Sequence, residues 1–391
     1  MSSPIRISTQ TARRFLINAL GLDSMNERNT TEQTWRQLGA IQLDPVATIE
    51  RNHHLVLMGR VPDYQKGSFS QLLEAGLAFE YWANEACILP IEDYPLFEYQ
   101  RKHRQESFKS ELSRYAATVT HVKHVLHEQG PLSSRDFAST SKVYGGWDLD
   151  KATTKESSHV LSLLHRTGDI QVVKREGATR YFDLTEKVIP QELLLRASDI
   201  SPTEASHLLL QKYYRSYRLF SANDARYGWQ KFKAVDRRSI HQNMINDGHI
   251  VPVEIEGVDR TYAVLAEDVE LLQNDLSSST TNYVQFLPPL DNLLWSRDRL
   301  VDIFSFYYRW EIYIPKEKRQ FGAYGMPILD QDQLIGKMDP LFDRKNGTLI
   351  VQNLTVDPGF KQTKSRLKRI EKGLTLLAKQ IGADKVQWND K

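Results

Sequence analysis

Apolar residues recur at helical spacing from the start of the chain. Over residues 7–20, Ala12, Phe15, Leu16, Ala19 and Leu20 fall on one face, with Ser8 or Thr9 placed to cap the helix. Residues 26–30 are polar and read as a loop, and residues 31–38 predict a second short helix. Ile41, Gln42, Leu43 and Asp44 then alternate apolar and polar. A period of two predicts a half-buried strand, with Ile41 and Leu43 inward and Gln42 and Asp44 side by side on the wet face. Pro45 lacks an N–H and should end that strand. Helices are expected over 49–58, ended by Gly59, and over 69–75, ended by Gly76. Residues 77–89 are rich in large side chains, and a charged helix is expected over 95–113.

The pattern then repeats. Residues 119–128 read as a helix broken at Gly130-Pro131, residues 132–137 as the start of a second, and residues 155–167 as a third stopped by Gly168. Two strands follow, over 170–174 and 180–184, joined at Glu176-Gly177. Residues 201–265 run through the same order: a helix to about Tyr217, a short one over 221–225, a third over 231–247 stopped by Gly248, and strands over 250–254 and 260–265. The third helices end in matching phrases, Thr167-Gly168-Asp169-Ile170 and Asp247-Gly248-His249-Ile250. Helix, short helix, longer helix and hairpin is the order of a winged helix-turn-helix. Residues 277–281 form a polar linker. Beyond it, strands are expected over 283–287, 321–329, 333–339 and 348–356, with turns at Asp330 and Asn346-Gly347 and a basic helix over 365–381. The chain therefore reads as α+β, with boundaries at 1–115 for an N-terminal winged-helix-like catalytic unit, 116–195 and 196–276 for two further winged helices, and 282–391 for a mainly β domain.

Composition narrows the class. The chain has 391 residues, of which 40% are hydrophobic and 26% charged, as in a folded soluble protein. No apolar run is long enough for a membrane span, and the N-terminus carries no apolar signal region, so a cytoplasmic setting is expected. The single cysteine, Cys87, can form neither an internal disulfide nor a zinc site alone, and reads as a small buried hydrophobe. The eleven histidines show no metal-ligand spacing, and no cofactor is expected. A net charge of +2 means that any nucleic-acid surface must come from segregated charge.

Several spaced phrases then coincide. Ile41-Gln42-Leu43-Asp44 is followed by Arg51 to Arg60 with Leu55-Val56-Leu57, by Glu80-Tyr81-Trp82-Ala83, and by Glu85-Ala86-Cys87 with Pro90. Near the end stand Tyr313-Ile314-Pro315 with Lys318-Arg319, and Gly336-Lys337-Met338-Asp339. In these the chain resembles the YcaQ/AlkX-like, AlkZ-related DNA glycosylases over nearly its whole length. The resemblance implies tandem winged helices arranged as a C around duplex DNA, a C-terminal barrel-like β domain, and excision of alkylated bases with unhooking of interstrand crosslinks. Gln42-Leu43-Asp44 matches the family's Gln-apolar-Asp branch of catalytic motifs, which makes Asp44 and Gln42 the candidate catalytic residues. Asn84 departs from the family, where His often stands before that Glu.

The chemistry suits one carboxylate. An N7-alkylated guanine is cationic and leaves without a general acid, so the sites of ordinary glycosidases, which pair two carboxylates, are not needed. Asp44 would stabilise an oxocarbenium-like sugar and deprotonate water, while Gln42 would fix that water. Arg51, His53, His54 and Arg60 are candidates for phosphate contacts, as are Lys318 and Arg319, and Tyr81, Trp82 and Asn84 are candidates for contacts near the lesion. The expected partner is double-stranded DNA carrying alkylated or crosslinked purines, met by a monomer associated with a bacterial nucleoid. The competing reading is a non-catalytic winged-helix transcriptional regulator, which needs a symmetric partner and sequence readout instead of a DNA-facing acid.

Overall fold

The computed structural model describes residues 3–23, 30–138, 141–145, 151–274 and 281–389. Strand β1 (Ile5–Ile7) precedes helix α1 (Thr9–Ala19). Three residues are too few to display a period, so β1 has no signal in the sequence. Ser8 is the cap of α1: its Oγ accepts from the Thr11 N–H at 3.0 Å. Ala12, Phe15, Leu16 and Ala19 are buried on the expected face. Helix α2 (Thr31–Leu38) starts on a reciprocal Thr30–Gln33 capping box and ends at Gly39, whose φ of +72° favours glycine. A Cβ on Gly39 would also stand 2.9 Å from Ser216 Oγ. Of the polar stretch 26–30, residues 26–29 lie outside the described residues.

The strand expected over 41–44 is shorter, β2 (Ile41–Gln42), and helix α3 (Asn52–Met58) begins later than the apolar spacing suggests. The cause is far along the chain. Arg344 Nη2 donates to the carbonyls of Ala47 and Ile49 at 3.1 and 3.0 Å, and Phe342 N donates to Thr48 O at 3.3 Å. A carbonyl claimed this way no longer serves the helical i→i−4 ladder.

Helix α4 (Lys66–Glu74) leads into an antiparallel hairpin of β3 (Ala78–Trp82) and β4 (Ala86–Pro90). A 3-10 turn over Ile91–Phe97 feeds α5 (Glu98–Arg114), and α6 (Ala116–Gln129) follows. Then come the short strands β5 (Leu132–Ser133), β6 (Lys142–Val143) and β7 (Thr154–Lys155), and helix α7 (Glu156–Thr167). A hairpin of β8 (Ile170–Glu176) and β9 (Thr179–Leu184) precedes α8 (Thr185–Val188) and α9 (Gln191–Asp199). The helix expected over 132–137 does not form. Leu132 and Ser133 pair with Phe182 and Tyr181 of β9, and Asp136 Oδ2 accepts from the Ser133 N–H at 2.7 Å. An aspartate that bonds the nearby backbone competes with a helix, and here the turn wins.

Helix α10 (Pro202–Tyr217) opens the second pass, with α11 (Ala234–Asn246) and a hairpin of β10 (Ile250–Ile255) and β11 (Tyr262–Leu265) behind it. The short helix expected over 221–225 is also replaced by turns, in which Arg226 N donates to Asp224 Oδ1 at 2.8 Å. Phe220 makes an antiparallel bridge to Ala263 on β11, the counterpart of β5 on β9. The repeated order is thus helix, bridge, helix, hairpin. The second sheet gains β1 at its other edge, parallel to β10 with Ile5 opposite Val253. Helix α12 (Val269–Gln273) ends this pass. Of the expected linker 277–281, residues 277–280 lie outside the described residues.

The tail contains β12 (Gln285–Phe286), helix α13 (Arg297–Phe304), β13 (Met326–Asp330), β14 (Gln333–Asp343), β15 (Thr348–Val356), helix α14 (Lys364–Ile381) and β16 (Lys385–Trp388). The five strands lie in chain order in one sheet that curls into half a barrel, where a barrel-like domain was expected. Bulges after Ile328 and Asp339 break the register, and such bulges bend a strand. Ile370, Leu374, Leu377 and Ile381 of α14 share a core with Met326, Ile328, Ile335, Met338 and Leu349 of the sheet. Ile49, Leu55 and Met58 from the other end of the sequence complete that core. Accordingly, residues 1–65 and 210–391 form one compact unit and residues 66–209 a second.

Arg60 ties the first unit together. It is 1% exposed, and its guanidinium meets Asp291, 0% exposed, in two hydrogen bonds of 2.7 and 2.9 Å. Its remaining donors reach Leu20 O at 2.7 Å and Val56 O at 3.0 Å. Removing one member of such a pair strands a buried charge. Arg60→Ala is expected to lower unfolding free energy by about 3–5 kcal/mol, measured by urea denaturation; a loss near zero would show that the pair contributes nothing net.

Candidate functional site

The alternation that predicted a wet face for Gln42 and Asp44 does not produce one. Ile41, Gln42 and Leu43 are all buried, Gln42 to 6% exposure, and Asp44 is the first residue of the run to reach solvent. Three buried donors and the half-buried Arg218 hold the backbone that leads to it. Arg218 Nη2 donates to Gln37 O at 3.1 Å, Lys212 Nζ to Gly39 O at 2.6 Å, Asn292 Nδ2 to Ala40 O at 2.9 Å and Asn52 Nδ2 to Gln42 O at 2.9 Å. Four side chains, three of them distant in sequence, thus satisfy carbonyls of this segment.

Asp44 caps its own turn, its Oδ1 accepting from the Val46 N–H at 2.8 Å across Pro45. Among the described residues it makes no ion pair. Burial pushes its carboxyl above the usual aspartate range, and the Val46 bond offsets this only in part. Its charge is felt by two phenols, those of Tyr313 and Tyr324, and helps to hold both above their ordinary range after burial. Tyr313 is 64% exposed and packs edge-on against Trp310, with ring centroids 5.6 Å apart; Trp310 meets the buried Tyr324 at 6.1 Å. In the sequence Tyr313 stands out only within the phrase Tyr313-Ile314-Pro315. What places it beside the acid is tertiary packing.

Tyr313 sits on a long loop, residues 305–325, whose only regular element is a 3-10 turn at Lys316–Lys318. The strand expected from residue 321 starts instead at Met326 because carboxylates grip the backbone before it. Glu311 accepts from the N–H groups of Gln320, Phe321 and Gly322 at 3.1, 2.9 and 3.2 Å, and Asp339 accepts from Tyr324 N at 2.8 Å. Those three bonds outweigh burial and hold Glu311 below its ordinary range. The loop encloses a cavity of about 330 Å³ lined by Arg309, Glu311, Ile314, Lys318, Phe321 and Lys337, among others.

The remaining candidates divide by burial. Arg51 is the residue before α3, half-buried, with its Nε lacking a partner. His53 and His54 are buried with rings 4.3 Å apart, and His54 Nδ1 lies 2.8 Å from Tyr64 Oη. These two, expected as phosphate contacts, are interior groups, because the short α3 is buried all round instead of presenting a polar face. Arg60 is likewise corrected from a phosphate contact to the buried partner of Asp291. Lys318 is exposed at the loop cavity. Arg319 is an internal strap, donating to Ile314 O at 2.8 Å and Ile312 O at 3.2 Å.

Tyr81, Trp82 and Asn84 belong to the second unit. Tyr81 is buried and its hydroxyl donates to Arg166 O at 2.9 Å. Trp82 is half-buried at the end of β3, and Asn84 stands half-buried in the turn to β4. Neighbouring Glu80, which sequence reading left without a role, is buried in a two-bond pair with Arg175 of β8 that holds it ionised despite desolvation. Cys87 is buried, and burial pushes its thiol up to about 12. Among the described residues no three His, Cys, Asp or Glu are grouped to hold a metal ion, and no helix is long and apolar enough to cross a membrane.

The α+β fold, a helix–hairpin repeat and a half-barrel sheet, is shared with a solved DNA glycosylase. The Streptomyces sahachiroi DNA glycosylase AlkZ superposes with a TM-score of 0.64 at 14% identity, over 98% of this chain and 100% of that one. A family model described as DNA glycosylase AlkZ-like matches residues 35–379. The chain belongs to the AlkZ-like DNA glycosylase family.

The raised Asp44 pKa has a consequence for stability. A folded-state pKa above the unfolded value of 3.8 means that the ionised form is the disfavoured one in the fold. Stability from this group is complete below the unfolded value and is lost as pH rises through the folded one. Asp44→Asn keeps the acceptor for Val46 and removes the charge, so its thermal midpoint should exceed that of wild type at pH 7. The gap should close as the pH falls toward 3.8, and an unchanged or lower midpoint at pH 7 would contradict the assigned shift.

Proposed function

We propose that this protein is a monofunctional DNA glycosylase that hydrolyses the N-glycosidic bond of N-alkylated, cationic purines in duplex DNA and unhooks interstrand crosslinks, in base excision repair. The observation that carries the proposal is Asp44: a half-buried carboxylate, free of ion pairs among the described residues, at the end of a backbone segment held rigid by buried donors. Rigid support is what a group needs to act on a transient charge. The two helix–bridge–helix–hairpin repeats are read here as winged helices and the protein as a DNA-binding monomer.

In the reaction, the bond between C1′ and the purine nitrogen breaks and its electron pair stays with the base, which neutralises the base's positive charge. Asp44 faces the positive charge that develops on the sugar. Water adds to C1′, and its proton passes to the Asp44 carboxylate. Because the base departs as a neutral species, the mechanism needs no second carboxylate. Gln42, at 6% exposure, is assigned as a positioning residue of the acid's segment. Base flipping into a deep pocket is usual where chemistry is done on a single base. A crosslinked base is tied to both strands, and an acid at a half-exposed position suits attack from a groove.

Duplexes containing N7-methylguanine or a nitrogen-mustard crosslink should give abasic product with the wild-type protein. Asp44→Asn should bind the same duplex comparably while excision falls about 10²–10⁴-fold; excision at the wild-type rate would remove Asp44 from the mechanism. Binding with a palindromic footprint and no abasic product would instead identify a regulator. The acid limb of kcat/KM should also report Asp44: activity is expected to fall as pH drops through a pKa above 3.8, and this limb should vanish from the residual activity of Asp44→Asn.

A further inference from the structure

In the second unit two arginines close on one tryptophan. The Arg104 guanidinium of α5 lies 4.6 Å from the Trp82 ring centroid and 4.9 Å from that of Tyr81. Arg166, in the last turn of α7, lies 5.4 Å from the Trp82 centroid. The buried Tyr81 joins them: its hydroxyl donates to Arg166 O and stands in hydrogen-bond contact with Arg104. The two guanidiniums are close enough for Arg104 to disfavour the charge on Arg166, which is already depressed by burial.

Among the described residues no carboxylate closes an ion pair with either arginine. Arg104 Nη1 is buried without a partner. Glu111 acts on Arg166 through space without forming an ion pair with it, and the acids around the two arginines have closer partners. Glu98 binds Arg101 at 2.6 Å and Lys102 at 3.8 Å, Glu111 is 2.8 Å from His159 Nε2, Asp169 binds Lys123 at 2.5 Å, and Glu80 is held by Arg175. Ring faces stabilise each cation but leave the mutual repulsion and the unfilled donor in place. Arg166 is exposed and Trp82 half-buried, so an outside anion has access.

We infer that Arg104 and Arg166, stacked about Trp82, form a binding site for one backbone phosphate of duplex DNA, with Tyr81 as its positioning residue. Forked guanidiniums match phosphate oxygens, and one phosphodiester supplies the missing counter-charge. Trp82 then serves as the platform that holds the fork, and the contact positions the duplex without reading its sequence. The site rests on the proposed function only for the identity of the polyanion.

The test is the affinity of the full-length protein for a short undamaged duplex, followed by anisotropy over a series of KCl concentrations. Arg104→Gln and Arg166→Gln together should weaken binding about tenfold, and the log–log slope against salt should fall by about 0.9, the value for one phosphate lost. Arg166→Lys should keep the wild-type slope. A slope unchanged in the double variant overturns the proposal, as does a lower urea midpoint with an unchanged slope, which is the signature of a packing role. If Arg104→Gln fails to fold, Arg166→Gln decides alone, since its side chain is exposed. Inorganic phosphate that binds the wild type but not Arg166→Gln, while duplex affinity and salt slope are the same in both, would assign the site to a free anion and overturn the duplex reading. A wild type that excises nothing while the slope still falls in the double variant would sink the glycosylase reading and leave this site standing.

Discussion

The buried pair of Arg60 and Asp291 is the interaction on which the geometry around the acid depends. Asp291 accepts both guanidinium bonds and also the N–H of Leu293, so it starts the short turn at Asn292–Leu294. That turn presents Asn292 to the carbonyl of Ala40, and buried Arg299 holds the turn from behind through Asn292 O at 3.3 Å and Leu293 O at 2.9 Å. Each step leaves a charge or an amide fully buried, where a missing partner is costly and alternative geometries are few. Asp44 stands at the end of this sequence of constraints.

Electrostatics separates Asp44 from two other acids of the unit, although Asp339 is raised by burial in the same way. Asp330 is clasped by Arg366 and Arg369 and lies below its ordinary range, and Glu311 is gripped by three backbone amides. Asp44 has one backbone bond, and tyrosines in place of a counter-ion. An acid so placed is a net cost to the fold, which is the usual condition of groups kept for chemistry.

The second unit shows the same contrast for cations. Arg175 is matched to Glu80 and Arg101 to Glu98, whereas Arg104 and Arg166 stack on rings and form no ion pair among the described residues. In the first unit, the loop over residues 305–325 spends its carboxylates on its own backbone, and Lys318 and Lys337 line its cavity. Each unit thus carries cations that form no ion pair among the described residues, even though the chain as a whole has a formal charge of only +2.

Local physics was legible in the chain. The cap at Ser8, the glycine stop at Gly168, the helices over Thr31–Leu38 and Lys364–Ile381 and the strand over Thr348–Val356 all follow from nearest neighbours. So did the repeated helix–hairpin order and the phrases that carried the family resemblance. Other features were not legible, because each is settled by groups hundreds of positions away or by strands too short to show a period. Arg344 delays α3, Val253 recruits β1, and Asp291 draws Arg60 inward where a surface cation was expected. Residue pattern alone placed Asp44 beside Gln42 on the wet face of a short alternating strand. Its half-exposure, its lack of a counter-ion and its place near Tyr313 were decided by tertiary structure, since burial and Coulomb interaction depend on distance in space and have no period along a chain.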